Sequence, residues 1–263
     1  MKLLAFIQMY NEVLKGNLVR CLENCRQWAD EIVLYDDAST DDSVELARNY
    51  TGHILRGERN NVSEELFHKQ KLLEYAITLS PDWLMWIDCD EIMDRGATQG
   101  GLRQLAERSD PTIDAFSFHE LNLWRGQTHA RIDSLFDKGW FTRLWRVTLG
   151  MHFDCHVGVH SRLYPITIQK AERSHYQVVH YGFWDYKRML EKIGATCSRE
   201  ELHRIAPGNW ILNETECKCY RVPDSVFPLE NVPPDVWPQP KPLAIEDIPA
   251  YNEVPEPTVV QAA

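Results

Sequence analysis

A chain of 263 residues, 44% apolar and 25% charged, has room for one large α/β domain and an appendage, and its composition is ordinary for a soluble globular protein. A net charge of −11 argues against nonspecific binding to nucleic acid, which wants a basic patch, while leaving room for a local basic pocket. No segment reaches the roughly 18 apolar residues of a membrane span, and the seven cysteines lack a disulfide-framework spacing, so a cytoplasmic protein, at most peripheral to a membrane, is expected.

Lys2 to Met9 reads as a buried strand that breaks into the polar turn Tyr10-Asn11-Glu12. Leu14, Leu18, Leu22 and Cys25 then recur at helical spacing. Cys21 and Cys25 fall on the apolar side of that helix and are expected as buried free thiols. Neither this pair nor Cys217-Lys-Cys219 has the second half that a zinc site needs. Glu31 to Tyr35 is a second buried strand, ending abruptly in Asp36-Asp37, after which Ser39 or Thr40 is placed to cap a helix carrying Val44, Leu46, Ala47 and Tyr50. Strand and helix alternating in this way predict a parallel sheet with right-handed crossovers. His53 to Leu55 suits a short strand, and Ser63 to Leu79 an amphipathic helix. Its Lys69 and Lys71 either reach a diphosphate or sit on a solvated face.

Trp83 to Ile87 is a further apolar strand that runs straight into Asp88, Asp90 and Glu91. Side chains alternate along a strand, so Asp88 and Asp90 share a face. Paired carboxylates repel unless a cation sits between them. Mg²⁺ and Mn²⁺ favour such oxygen ligands and commonly take one or two carboxylates together with substrate phosphates. In a parallel sheet ligands bind beyond the carboxyl ends of the strands. The polar ends Gln8–Glu12, Asp36–Asp37 and Asp88–Glu91 are therefore expected to converge on one crevice.

IQMYNE, IVLYDDASTDDS and WLMWIDCDE, in this order and spacing, resemble the family 2 glycosyltransferases, and the resemblance covers residues 1–95 best. It implies the GT-A fold: an α/β, Rossmann-like, mostly parallel sheet flanked by helices. It also implies a nucleotide-diphospho-sugar donor and a Mn²⁺ or Mg²⁺ cofactor. By the resemblance, Gln8, Asn11 and Glu12 line the nucleotide cleft, Asp37 and its neighbour Asp36 meet the base, Asp88 approaches the ribose or the metal, and Asp90 binds the metal. Gln8-Met9 departs from the Pro or Thr that many members carry before Tyr-Asn, which leaves the base open.

The second half is expected to choose the acceptor. A Gly-containing loop from Arg95 to Gly101 and a helix from Leu102 to Glu107 lead to extended stretches, Asp114 to Trp124 and Phe141 to Val147. From Met151 to His160 apolar and polar residues alternate strictly, which predicts a strand with His152, Asp154, His156 and His160 on its polar face. A helical zinc site is the weaker reading, because no HExxH motif accompanies these histidines. Asp154, His156 and His160 are the candidates for the base that takes the acceptor's hydroxyl proton, with Asp133 or Glu120 as substitutes. His160 lacks the following Glu that related members often show. Ser174 to Tyr181 is a last strand, and Trp184 to Ile193 an amphipathic helix. By the resemblance, His180 near the end of that strand closes the metal site.

Ten of the fourteen prolines lie from Val222 onwards, so an extended tail is expected there, which gives a glycosyltransferase domain over 1–221, split at 95, and a Pro-rich acidic tail over 222–263. That tail is a candidate for homo-oligomer contacts. The expected function is metal-dependent transfer of a sugar to a carbohydrate, lipid-linked or protein acceptor. A sugar-1-phosphate nucleotidyltransferase would want a Gly-rich basic loop where Gln8–Glu12 stands, and a noncatalytic carbohydrate-binding protein would not need Asp88-Cys89-Asp90.

Overall fold

A computed structural model describes residues 1–124, 126–132, 139–156, 163–185, 219–222 and 226. These fall into two units, given separately below. The first holds 1–120, 139–156, 163–179 and 226. The apolar runs form β1 (Leu3–Met9), β2 (Glu31–Asp36), β3 (His53–Arg56) and β4 (Trp83–Trp86), which pair in parallel in the order β4-β1-β2-β3. The connections carry α1 (Leu18–Cys25), α2 (Ser43–Ala47) and, after a 3₁₀ turn at Val62–Glu64, α3 (Glu65–Thr78). Beyond Asp88 come β5 (Glu91–Met93), a kinked turn at Ala97–Gly101 with Gly100 at φ +98°, and α4 (Leu102–Arg108). β6 (Ala115–Trp124) and β8 (Trp140–Arg146) then extend the sheet beside β4 in antiparallel fashion, with a bulge at Phe116/Ser117.

Both faces of this sheet are covered, which is why β1 reads as an unbroken apolar run rather than an alternation. Leu3, Ala5, Ile7 and Met9 pack with Leu18, Leu22 and Cys25 of α1, Val44 and Ala47 of α2, and Leu102 and Ala106 of α4. Leu4 and Phe6 face the other way, toward Leu66, Leu72, Leu73 and Ala76 of α3 and toward Trp145, Met151 and Phe153. Cys21 and Cys25 are buried free thiols.

Four sequence expectations change. Leu14 stands 73% exposed in the turn before α1 and is no part of that helix. α2 starts at Ser43 without a side-chain cap from Ser39 or Thr40, and it ends before Tyr50. The turn expected as a loop at residues 97–101 is helical but kinked. The described part of the predicted Met151–His160 strand, 151–156, pairs with no strand. Alternation holds over its first three residues, Met151 and Phe153 being buried and His152 exposed, and stops at Asp154 and Cys155, which are both half-buried. Phe153 stacks on Phe6 at 6.5 Å between centroids and meets Trp145 edge-on at 5.7 Å. Its backbone N–H donates to Gln70 Oε1 on α3. Extended chain laid on an apolar face shows the same period of two as a strand, with no ladder required.

The second unit holds 121–124, 126–132, 180–185 and 219–222. In it β7 (His129–Arg131) pairs antiparallel with β10 (Cys219–Arg221) and meets the end of β6 at Leu123. The Arg131 guanidinium lies 4.5 Å from the Trp124 ring centroid, and Trp124 packs on Phe183 at 5.6 Å. Phe183 and His180 belong to β9 (Ala171–Phe183), whose first nine residues lie in the first unit. The expected helix at Trp184–Ile193 and the tail fall almost entirely outside the described residues, as do His160 and Asp133.

Candidate active site

The parallel pairing of β4, β1 and β2 sets their carboxyl ends side by side, and the chain beyond each end is polar. Asp37 N donates to Met9 O at 2.9 Å, which brings the first two ends together. The loops beyond them are laced by side chains. Asn11, at φ +52°, donates its N–H to Ser39 Oγ, while its Oδ1 accepts from the N–H groups of Thr40 and Asp41. Ser43 Oγ accepts from Glu12 N and Val13 N at 2.9 and 3.1 Å, and Asp41 Oδ2 accepts from Leu14 N. Ser39 and Ser43 are thereby committed to the neighbouring loop, which leaves α2 uncapped by either.

The two aspartates closing β2 have different surroundings. Asp36 is fully buried: its oxygens accept from Ser39 N, and Arg56 Nε lies 3.2 Å away, so it shapes the turn. Asp37 accepts from Asn60 Nδ2 at 2.9 Å and from Asn61 N, with His68 Nδ1 3.4 Å from its Oδ1. Burial pushes the Asp37 carboxyl above its usual range, against the pull of His68. Gln8 Nε2 reaches the same His68 nitrogen at 3.4 Å. Glu12 is buried, held by Lys15 at 2.6 Å and Asn17 at 3.1 Å. Burial pushes its carboxyl up, opposed by Lys15 and reinforced by the charge of Asp90.

At the third end Asp88 and Asp90 are part-exposed and Cys89 between them is buried. The turn closes on itself, Glu91 N donating to Asp88 O and Asp88 N to Glu91 Oε2. Two thiols seat it, Cys21 Sγ toward Asp88 O and Cys89 Sγ toward Gln8 O, both at 3.6 Å. Asp88 Oδ1 accepts from the Trp86 indole at 2.9 Å and Oδ2 from Arg143 at 3.3 Å. Arg143, 3% exposed, also binds Glu91 and Glu120, and its guanidinium carbon stands 4.4 Å from the Trp86 ring centroid. Burial works against its charge, but Glu91, Asp88 and Glu120 outweigh it and raise the guanidinium's pKa further. Lys69 is buried too, 3.4 Å from the Trp86 centroid and paired with Glu65 at 2.6 Å. Burial pushes the Lys69 ammonium down, opposed by Asp88 and Glu65. Lys71 is exposed.

The sequence-predicted residues thus divide. Gln8, Asn11, Glu12, Asp36, Asp37, Asp88 and Asp90 all lie at the three strand ends, and Lys69 lies beneath the third. Asp154 and His156 lie on a different segment, whose Cys155 Sγ reaches Leu66 O in the first turn of α3. Asp154 Oδ1 accepts from His156 N at 3.1 Å. His180 belongs to the second unit, with Nδ1 2.7 Å from Asn122 Oδ1. Among the described residues no group of three or more His, Cys, Asp or Glu is placed to hold a metal ion. The carboxylates of Asp88 and Asp90 are still a hard-oxygen set of the size that Mg²⁺ or Mn²⁺ uses when phosphates complete its shell. Sequence reasoning missed Arg143, His68 and the partnership of Glu91 with Arg143 and the Asp88 backbone. The available signal was polarity where burial is expected: Arg143 amid WFTRLWR, and His68 and Lys69 within the Leu66–Leu72 stripe.

Among the described residues no helix is long and apolar enough to cross a membrane. No curated protein matches the chain. Solved structures align with the chain only at low identity and low TM-score. TarS residues 1–349 from S. aureus aligns with a TM-score of 0.44 and 16% identity over 74% of this chain and 64% of that one. Its UDP complex aligns at 0.34 and 20% over 48% and 36%, so the chain spans little more than a third of that structure's length. The mannosyltransferase PcManGT from Pyrobaculum calidifontis, solved with GDP-Man and Mn²⁺, aligns at 0.34 and 19% over 44% and 35%. The family description that fits this sequence, Glycosyl transferase family 2, takes in residues 5–192, from the middle of β1 to beyond β9 and more than half of the 263 residues. The chain belongs to glycosyl transferase family 2.

Proposed function

We propose that the protein is a glycosyltransferase that moves a sugar from a nucleotide-diphospho-sugar to an acceptor hydroxyl, with Mn²⁺ or Mg²⁺ as cofactor. The observation that carries this is the placement of Asp37 beyond β2 and of Asp88 and Asp90 beyond β4, the two parallel neighbours of β1, in a family 2 chain. Asp37 contacts the base, and the Asn11–Ser39–Ser43 lacing keeps the cleft's two loops in place, so little ordering remains to be done on binding. Asp88 and Asp90 would hold the divalent ion, which would supply neutralisation of the charge that develops on the diphosphate leaving group. Arg143 and the Trp86 indole orient Asp88, and Lys69, tied to Glu65, adds a positive charge beneath it. A base on the acceptor side, for which Asp154, His156 and His160 are the sequence candidates, takes the hydroxyl proton.

The test is a thermal-shift panel of UDP, GDP, CMP and their sugar conjugates with and without Mn²⁺. A ligand that binds only the folded protein raises its melting temperature by mass action. The proposal expects one nucleotide diphosphate to raise it, and to raise it more with Mn²⁺. No shift from any nucleotide would refute it.

A further inference from the structure

His68 has no role in the chemistry above, yet it touches two of the three strand ends. It is buried on α3 with its ring stacked on Tyr35 at 4.5 Å and an interplanar angle of 17°. That stacking fixes the ring plane and leaves the proton as the free variable. Nδ1 faces an acceptor, Asp37 Oδ1, and a donor, Gln8 Nε2, each at 3.4 Å. Nε2 faces Glu64 Oε2 at 3.7 Å. A neutral imidazole carries one N–H, so the two carboxylates compete for it. The Asp37 side chain is 7% exposed and that of Glu64 is 39% exposed, so water already serves Glu64. The poorly solvated carboxylate gains more from the donor, and a bare Nδ1 would set a lone pair against its charge. Gln8 then adapts by turning its amide oxygen inward.

We infer that His68 is the positioning residue for Asp37: protonated on Nδ1, it donates to Asp37 Oδ1 and fixes the rotamer in which that carboxylate meets the donor's base. The inference rests on the reading that Asp37 contacts the base. It makes affinity for the nucleotide, rather than handling of the diphosphate, the property that His68 controls.

Side-chain amides separate the two ring positions, because Asn carries its N–H near the place of Nδ1 and Gln near that of Nε2. Calorimetry with UDP and GDP in Mn²⁺ is expected to show His68→Gln and His68→Ala binding about tenfold more weakly than wild type, the size of one charge-assisted hydrogen bond. His68→Asn should stay within about twofold, since it restores that bond. Inorganic pyrophosphate with Mn²⁺ should bind alike to all of them, which a collapsed site would not allow. Nitrogen-15 NMR of the imidazole, assigned against His68→Asn, should show the proton on Nδ1. A proton on Nε2, or a His68→Gln variant that binds as well as His68→Asn, overturns the inference. If Asp37→Asn loses affinity and no His68 variant does, the inference alone fails. If Asp37→Asn keeps it, the base-contact reading fails with it.

Discussion

Replacing Arg143 by Met tests whether the third strand end is held electrostatically. The substitution removes one cation from among Glu91, Glu120 and Asp88, at 2.5, 3.3 and 3.3 Å. It keeps most of the side chain's volume against the Trp86 ring. Glu91 is 2% exposed and cannot turn to water, so its buried charge loses the guanidinium that it now pairs with. Breaking a buried ion pair by removing one partner costs about 3–5 kcal/mol, mostly the penalty on the group left behind. Asp88, 40% exposed at its side chain, contributes little to that sum. Urea unfolding followed by tryptophan fluorescence would measure the loss. The double variant Arg143→Met with Glu91→Gln removes the Glu91 charge as well, and it should recover more than about 1 kcal/mol of the deficit. A single variant within about 1 kcal/mol of wild type, or a double variant no more stable than the single, would refute this account of the cluster.

Two further outcomes are expected. Phe153→Ala should destabilise the first unit by about 3–5 kcal/mol, because the ring fills the space between Phe6 and Trp145 and a cavity remains. A loss under about 1 kcal/mol in the same urea assay would show that the 151–156 segment is not part of the core. Alanine at Asp154, His156 or His160 should slow transfer by about 10² to 10⁴-fold at one position while leaving donor affinity unchanged. Retention of transfer by all three in a steady-state assay would move the base elsewhere, Glu120 being next.

The parallel half was legible because a sheet covered on both faces demands unbroken apolar runs, and β1, β2 and β4 show them. The aspartates at their ends followed from where such a sheet binds ligands. The 151–156 segment misled because alternation reports burial on one side and says nothing of a hydrogen-bonded neighbour. The cap expected of Ser39 or Thr40 misled for a related reason. A hydroxyl's local option competes with distant ones, and here Asn11, 28 residues away from Ser39, supplies the partner. Arg143 was visible as a strand residue but not as a site residue, since its partners Asp88 and Glu91 lie 55 and 52 positions away. The sequence leaves Lys69 either reaching a diphosphate or lying on a solvated face. Its actual place against Trp86 depends on a ring 17 residues downstream on another element.

The central claim is that a divalent ion on Asp90 couples this chain to a nucleotide diphosphate. Calorimetric titration of UDP and GDP into wild type and Asp90→Asn, each with and without Mn²⁺, tests it most directly. Asp90 is part-exposed, so the isosteric amide should leave the fold intact, which far-UV circular dichroism would check. The account predicts Mn²⁺-dependent binding to wild type and its loss in Asp90→Asn. Equal, Mn²⁺-dependent affinity in both proteins would contradict it.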